Sequence, residues 1–205
     1  MKVVAISKTK PVDVVKSAYN QGHRAFGENK VQELREKADQ LPGDIEWHMV
    51  GHLQSNKVKY IAPDISMIQS VDSGKILKVI NKEAQKNDRV IDCLLQVRIA
   101  EEESKFGFTK GTLNELLDSG ITENYSNIRM RGVMGMATFT DDMEKIAGEF
   151  RFLRSYFEEL KRDYFSGVDY FTEVSMGMTN DYKVAIDEGA TIIRVGTLIF
   201  GAREK

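Results

Sequence analysis

Apolar residues along the 205-residue chain cluster in short, β-rich runs, and each run is followed by a longer charged stretch in which apolar residues return every three or four positions. The first pattern is that of a buried strand, the second that of an amphipathic helix. Eight such units follow one another, with strand-like runs at 3–7, 25–28, 46–51, 67–71, 92–97, 128–136, 170–176 and 191–197. The clearest helical stretch is 143–163, where Met143, Ile146, Ala147, Phe150, Leu153, Phe157 and Leu160 line one face. Ile76, Val79 and Ile80 do the same within 73–86, opposite a lysine-rich face, and the first helix opens at Pro11, whose fixed φ suits a first helical turn.

Strict alternation of strand and helix predicts parallel strands joined by right-handed crossovers, and eight units predict a single (β/α)8 TIM barrel, one domain over 1–205. An open doubly wound sheet is the alternative. It lacks a Gly-rich dinucleotide fingerprint, because S-K-T-K-P (7–11) follows the first run. With 41% hydrophobic and 29% charged residues the composition is that of a soluble globular protein, and no apolar run approaches the roughly 20 residues of a bilayer span. Lys+Arg 29 against Asp+Glu 31 leaves a net charge of -2, so neither nucleic acid nor a membrane is expected as partner. The lone cysteine, Cys93, excludes an internal disulfide and a multi-cysteine metal site and is expected as a buried strand residue. The N-terminus has no signal-peptide core, which makes the cytoplasm the expected location.

Barrels of this kind place their chemistry at the C-terminal ends of the strands. Lys8 stands there after the first run; desolvation and the neighbouring Lys10 favour the neutral amine that a Schiff base with an aldehyde requires, whereas the plain alternative is a surface lysine before a helix. The last two runs end in V-S-M-G-M-T-N (174–180) and R-V-G-T (194–197). Small residues let backbone N–H groups approach an anion, and the hydroxyls of Ser175, Thr179 and Thr197 add hydrogen bonds, so these ends suit a phosphate; turn glycines are the bland alternative. His48 and His52 are four apart but lack the H-E-x-x-H form of a zinc pair, and His48 is expected inside the barrel. Asn29, ending F-G-E-N (26–29), either faces the barrel mouth or caps the next helix, and capping weighs more.

With these residues assembled, the sequence resembles the YggS/PROSC family of pyridoxal 5′-phosphate homeostasis proteins. The resemblance rests on A-I-S-K-T-K-P, F-G-E-N-K-V-Q-E, W-H-M-V-G-H-L-Q-S-N-K, R-G-V-M-G-M, S-M-G-M-T-N-D and I-R-V-G-T-L-I-F-G-A-R. It implies the isolated barrel of fold-type III pyridoxal phosphate enzymes, the group that contains alanine racemase. By that resemblance Lys8 matches the lysine that binds the cofactor as an internal aldimine. Ser175, Gly177, Gly196 and Thr197 match the phosphate cradle, and Arg194 the arginine against the pyridine nitrogen. Asn29, His48 and Met136 match residues lining the pocket, and Lys105 resembles the basic residue of the racemases' R-x-G segment. Family members begin with a helix before the first strand, and here the first strand starts at residue 3, so the expected domain lacks that helix.

The resemblance implies a binder, store or donor of pyridoxal phosphate in vitamin B6 balance, with apo pyridoxal phosphate enzymes as partners and a monomer as the expected state. An amino-acid racemase is the alternative. Racemisation needs an acid/base on each face of the substrate carbon, and eight βα units leave no residues for the second domain that carries the opposing tyrosine in racemases. A protonated guanidinium at Arg194 also leaves the pyridine nitrogen unprotonated and the ring a poor electron sink. A Schiff-base aldolase would need a nearby carboxylate relay that 7–12 lacks. A pure interaction protein is the remaining class.

Overall fold

A computed structural model describes residues 1–100 and 106–201. Eight parallel strands close into one barrel in sequence order: β1 (Lys2–Ile6), β2 (Ala25–Glu28), β3 (Glu46–Met49), β4 (Ile65–Val71), β5 (Ile91–Gln96), β6 (Ile128–Met134), β7 (Glu173–Ser175) and β8 (Ile192–Val195). Closure is made by β1 against β8, with Lys2 opposite Ile192 and Ala5 opposite Val195. The helices are α1 (Val12–Asn20), α2 (Val31–Ala38), α3 (Val58–Ile61), α4 (Gly74–Lys86), α5 (Lys110–Asp118), α6 (Met143–Asp163), α7 (Tyr182–Asp187) and α8 (Thr197–Phe200).

Side chains on a strand alternate between faces, so each strand feeds two cores. Outward residues such as Ala5, Phe26, Trp47, Ile68, Cys93, Val133 and Val174 pack under the helices. Inward residues Val4, Ala25, Met67, Leu94, Met134 and Ile192 fill the lower barrel, with Ile6 and Met136 packed on them. The layer above is polar: His48, Gln69, Gln96, Ser175 and Arg194 are all buried. The expected stripe on α6 buries Ile146, Phe150, Leu153, Phe157 and Leu160, and Tyr156 with them, at roughly 2 kcal/mol apiece. Met143, on the same stripe in sequence, is 41% exposed instead. Ser73 caps α4 by accepting from the Ile76 N–H, and Pro11, extended at ψ 162°, stands at the N-cap of α1 rather than in its first turn. Among the described residues no helix is long and apolar enough to cross a membrane.

Candidate functional site

At the C-terminal ends of β1, β6, β7 and β8 the barrel opens into a cavity of about 540 Å³, within the usual range of small-molecule sites. Lys8, in the turn after β1, lines it together with Arg194 of β8, Gly196, Thr197 and Thr179. The opposite wall is the loop between β6 and α6, held by Glu149, whose two carboxylate oxygens accept from the Thr138 N–H and hydroxyl at 2.6 Å each. Met143 is exposed because it forms part of this wall.

Arg194 is the electrostatic centre. It is 4% exposed, and among the described residues no carboxylate lies within ion-pair distance of it. Burial pushes its pKa down to about 10, against a smaller opposing effect of Asp181, so it keeps its proton at neutral pH. Its Nη1 donates to Ser175 Oγ at 2.6 Å and its Nη2 to the Gly135 carbonyl at 2.9 Å, which leaves three of the five guanidinium N–H groups for other acceptors. A guanidinium only donates, so the direction of the next bonds is fixed. The Ser175 hydroxyl donates to Gln69 Oε1 at 2.7 Å, and the Gln69 amide N–H therefore donates to His48 Nδ1 at 2.8 Å. His48 is neutral, its pKa lowered to about 3, first by burial and then by the charge of Lys2. One polar chain thus crosses the barrel from β8 to β3.

The phosphate-type strand ends divide into two parts. Gly196, Thr197 and Thr179 face the cavity, and Thr179 Oγ1 accepts from the Gly196 N–H at 3.4 Å. A Cβ on Gly196 would lie 3.0 Å from the Ile6 carbonyl oxygen, so a side chain there would push that backbone by a few tenths of an ångström. Gly177 and Ser175 stand behind them. Gly177, at φ +91°, is wedged against Ala185, and its carbonyl accepts from the Arg194 backbone N–H at 2.9 Å. The Ser175 hydroxyl is turned into the barrel rather than toward the cavity.

Asn29, His48 and Met136 do not line this cavity. His48 lies within the barrel, and Met136 lines a separate crevice with Gln96 and Phe106. Asn29 follows β2 and is not the N-cap of α2; Lys30 occupies that position, with no side-chain capping bond. The expected cap fails because the chain stays extended one residue longer before turning into the helix. His52 pairs with Asp72 at 2.8 Å and stacks on Phe106, away from His48. Lys105 lies outside the described residues. Gln69, Glu149 and the loop residues Ala137 to Asp141 are absent from the sequence-based set: nothing in a mid-strand glutamine or a glutamate on a helix's polar face marks it.

The chain matches the family model described as "Alanine racemase, N-terminal domain" over residues 1–204. It is 40% identical over 204 residues to the pyridoxal phosphate homeostasis protein of Aquifex aeolicus, covering 99% of this chain and 87% of that one. Against the human protein of that name identity is 35%, with 99% and 77% coverage. The structure of PipY, the COG0325 family member of Synechococcus elongatus PCC7942, solved with PLP bound, superposes with a TM-score of 0.88 at 32% identity, over 98% of this chain and 92% of that one. An alanine racemase from Clostridium difficile 630 shares the fold at 15% identity, TM-score 0.73, with this chain spanning 52% of it.

Proposed function

The chain belongs to the pyridoxal phosphate homeostasis proteins within the alanine racemase N-terminal domain family, and on that premise we propose that the cavity binds pyridoxal 5′-phosphate, with Lys8 as the amine that takes its aldehyde. The observation that carries this reading is the meeting, in one cavity, of Lys8, a buried guanidinium with no carboxylate partner among the described residues, and a Gly196–Thr197 turn in which a Cβ would press on the Ile6 carbonyl oxygen. Buried cations demand an anion or a set of acceptors, and the residues fit a phosphorylated ring in both respects.

Bound pyridoxal 5′-phosphate supplies an aldehyde reactive toward primary amines, a phosphate, and a conjugated ring that can accept electrons. Lys8 would supply the primary amine for the aldehyde end. The backbone of Gly196 and Thr197 and the hydroxyls of Thr179 and Thr197 receive the phosphate. Arg194, protonated at neutral pH, would donate to the ring nitrogen without transferring a proton, and Ser175 and Gly135 fix its orientation. Such a site favours holding the cofactor over carbanion chemistry, and its open mouth at Lys8 supports a role in storing pyridoxal phosphate and passing it to apo-enzymes.

Borohydride reduction of the loaded protein, followed by peptide mapping, is the test. A pyridoxyl group on Lys8 is the expected product; an adduct on Lys10, or none, overturns the assignment. Incubation with L-alanine in deuterated water is expected to leave the α-proton in place, whereas rapid exchange with formation of D-alanine, abolished by Lys8→Ala, establishes the racemase.

A further inference from the structure

The motif F-G-E-N-K-V-Q-E (26–33) contributes nothing to the cavity wall, yet it lies directly behind the turn that carries Lys8. Both neighbours of Lys8 are tied to it. On one side the Ser7 N–H donates to the Gly27 carbonyl at 3.0 Å, and the Ser7 hydroxyl donates to Glu28 Oε1 at 2.6 Å. Lys37 Nζ, from α2, donates both to that same carboxylate oxygen at 2.6 Å and to the Ser7 carbonyl at 2.7 Å. On the other side the Thr9 N–H donates to Glu33 Oε2 at 2.7 Å, and this oxygen also lies 4.0 Å from Lys37 Nζ. Thr9 has φ +64°, a left-handed conformation that a β-branched residue adopts only where its surroundings impose it.

The inner pair is costly. Glu28 is 0% and Lys37 5% exposed, and Glu28 Oε2 is buried with no hydrogen-bond partner. Apolar residues of similar volume generally serve stability as well as a buried ion pair does, so such a pair points to one imposed conformation rather than to added stability. The conformation imposed here is that of residues 7–9.

We propose that Glu33 and the Glu28–Lys37 pair are positioning residues that clamp this turn and so set the direction from which the Lys8 amine enters the cavity. The inference rests on the reading of Lys8 as the amine that takes the cofactor's aldehyde. It assigns the F-G-E-N-K-V-Q-E segment to the geometry of amine capture and leaves phosphate and ring binding to β7 and β8.

Two ligands separate these roles: pyridoxal 5′-phosphate and 4-deoxypyridoxine 5′-phosphate, which keeps the ring and phosphate but has no aldehyde. Glu33→Ala is expected to weaken binding of the first about five-fold, the equivalent of a hydrogen bond worth ~1 kcal/mol, and to leave the second unchanged. Glu33→Gln, which keeps an acceptor, falls between. The double variant Glu28→Leu/Lys37→Met, which leaves the buried Ser7 hydroxyl without its acceptor, is expected to stay folded and to lose the preference for the aldehyde. Equal weakening of both ligands by Glu33→Ala, or no weakening of either, overturns the clamp. Lys8→Ala distinguishes the two ideas. If the preference for the aldehyde survives in Lys8→Ala, the reading of Lys8 itself falls; if it vanishes there but is untouched in Glu33→Ala, only the clamp falls.

Discussion

Lowering the pH from 6 to 4 is expected to remove about 2.5 kcal/mol of folding stability through His48 alone. The ring is 1% exposed, and its Nδ1 is committed as an acceptor because Arg194, Ser175 and Gln69 hand their donors along the chain in one direction. Burial, with the charge of Lys2 in second place, holds its pKa at about 3, whereas in the unfolded chain it returns to about 6.5. Between those values the unfolded state binds a proton that the native state refuses. Stability is therefore intact above about pH 6.5, declines as the pH falls by up to about 1.4 kcal/mol per pH unit, and levels off below about pH 3.

Other groups titrate in the same window. Glu46, whose pKa the Lys2 hydrogen bond lowers, loses stability with acid as well, while Glu28, raised by burial, works in the opposite sense because its native carboxyl takes up a proton more readily. A difference measurement isolates the histidine. Urea unfolding of the wild type and of His48→Gln, in which an amide oxygen can still accept from Gln69, is to be compared at pH 4, 5, 6 and 7. The advantage of the wild type is expected to shrink by about 2.5 kcal/mol from pH 6 to pH 4. A pH-independent difference, or a His48 ring seen by NMR to titrate near its ordinary value, refutes the reasoning.

What the sequence revealed of the site follows from barrel geometry. Once eight strand-helix units are recognised, the strand ends become the candidate site, so the places of Lys8, Arg194, Gly196 and Thr197 around the cavity are legible before any coordinates. The strands β7 and β8 are shorter than their apolar runs: β7 starts only at Glu173, and β8 ends at Val195, because Gly196 and Thr197 beyond it turn into the cavity wall. Met143 fits the helical stripe of α6, and periodicity alone does not distinguish a core position from the lip of a cavity. Less legible still is the direction of a side chain near a strand end: Ser175 has the hydroxyl a phosphate wants, but closure of the barrel places Gln69 opposite it, 106 positions earlier in the chain. Gln69 itself, inside I-S-M-I-Q-S-V, gives no local signal. Lys37 likewise sits among charged neighbours on a short helix, and only the packing of α2 against β2 and β3 buries it.

Replacing Gly196 by Val places a Cβ 3.0 Å from the Ile6 carbonyl oxygen, a backbone contact tight enough that the turn or its neighbour must shift, and the branched side chain adds bulk at the cavity wall. Binding of pyridoxal 5′-phosphate is expected to weaken at least about ten-fold and that of unphosphorylated pyridoxal far less, as read by absorbance titration; equal losses show that the phosphate lies elsewhere. Gln69→Leu removes an acceptor from the Ser175 hydroxyl and a donor from His48 Nδ1, both buried, and each orphaned group costs about 1–3 kcal/mol. The expected loss is about 4 kcal/mol, a fall in Tm of roughly 10 °C for a chain of this size. Adding Ser175→Ala removes one orphan while depriving Arg194 of one acceptor, so the double variant is expected to cost less than the sum of the singles, with a coupling of at least about 0.5 kcal/mol. Because the same chain orients Arg194, Gln69→Leu is also expected to weaken cofactor binding although Gln69 does not line the cavity. A loss of stability below about 1 kcal/mol, or strict additivity in the cycle, contradicts a connected chain from β8 to β3.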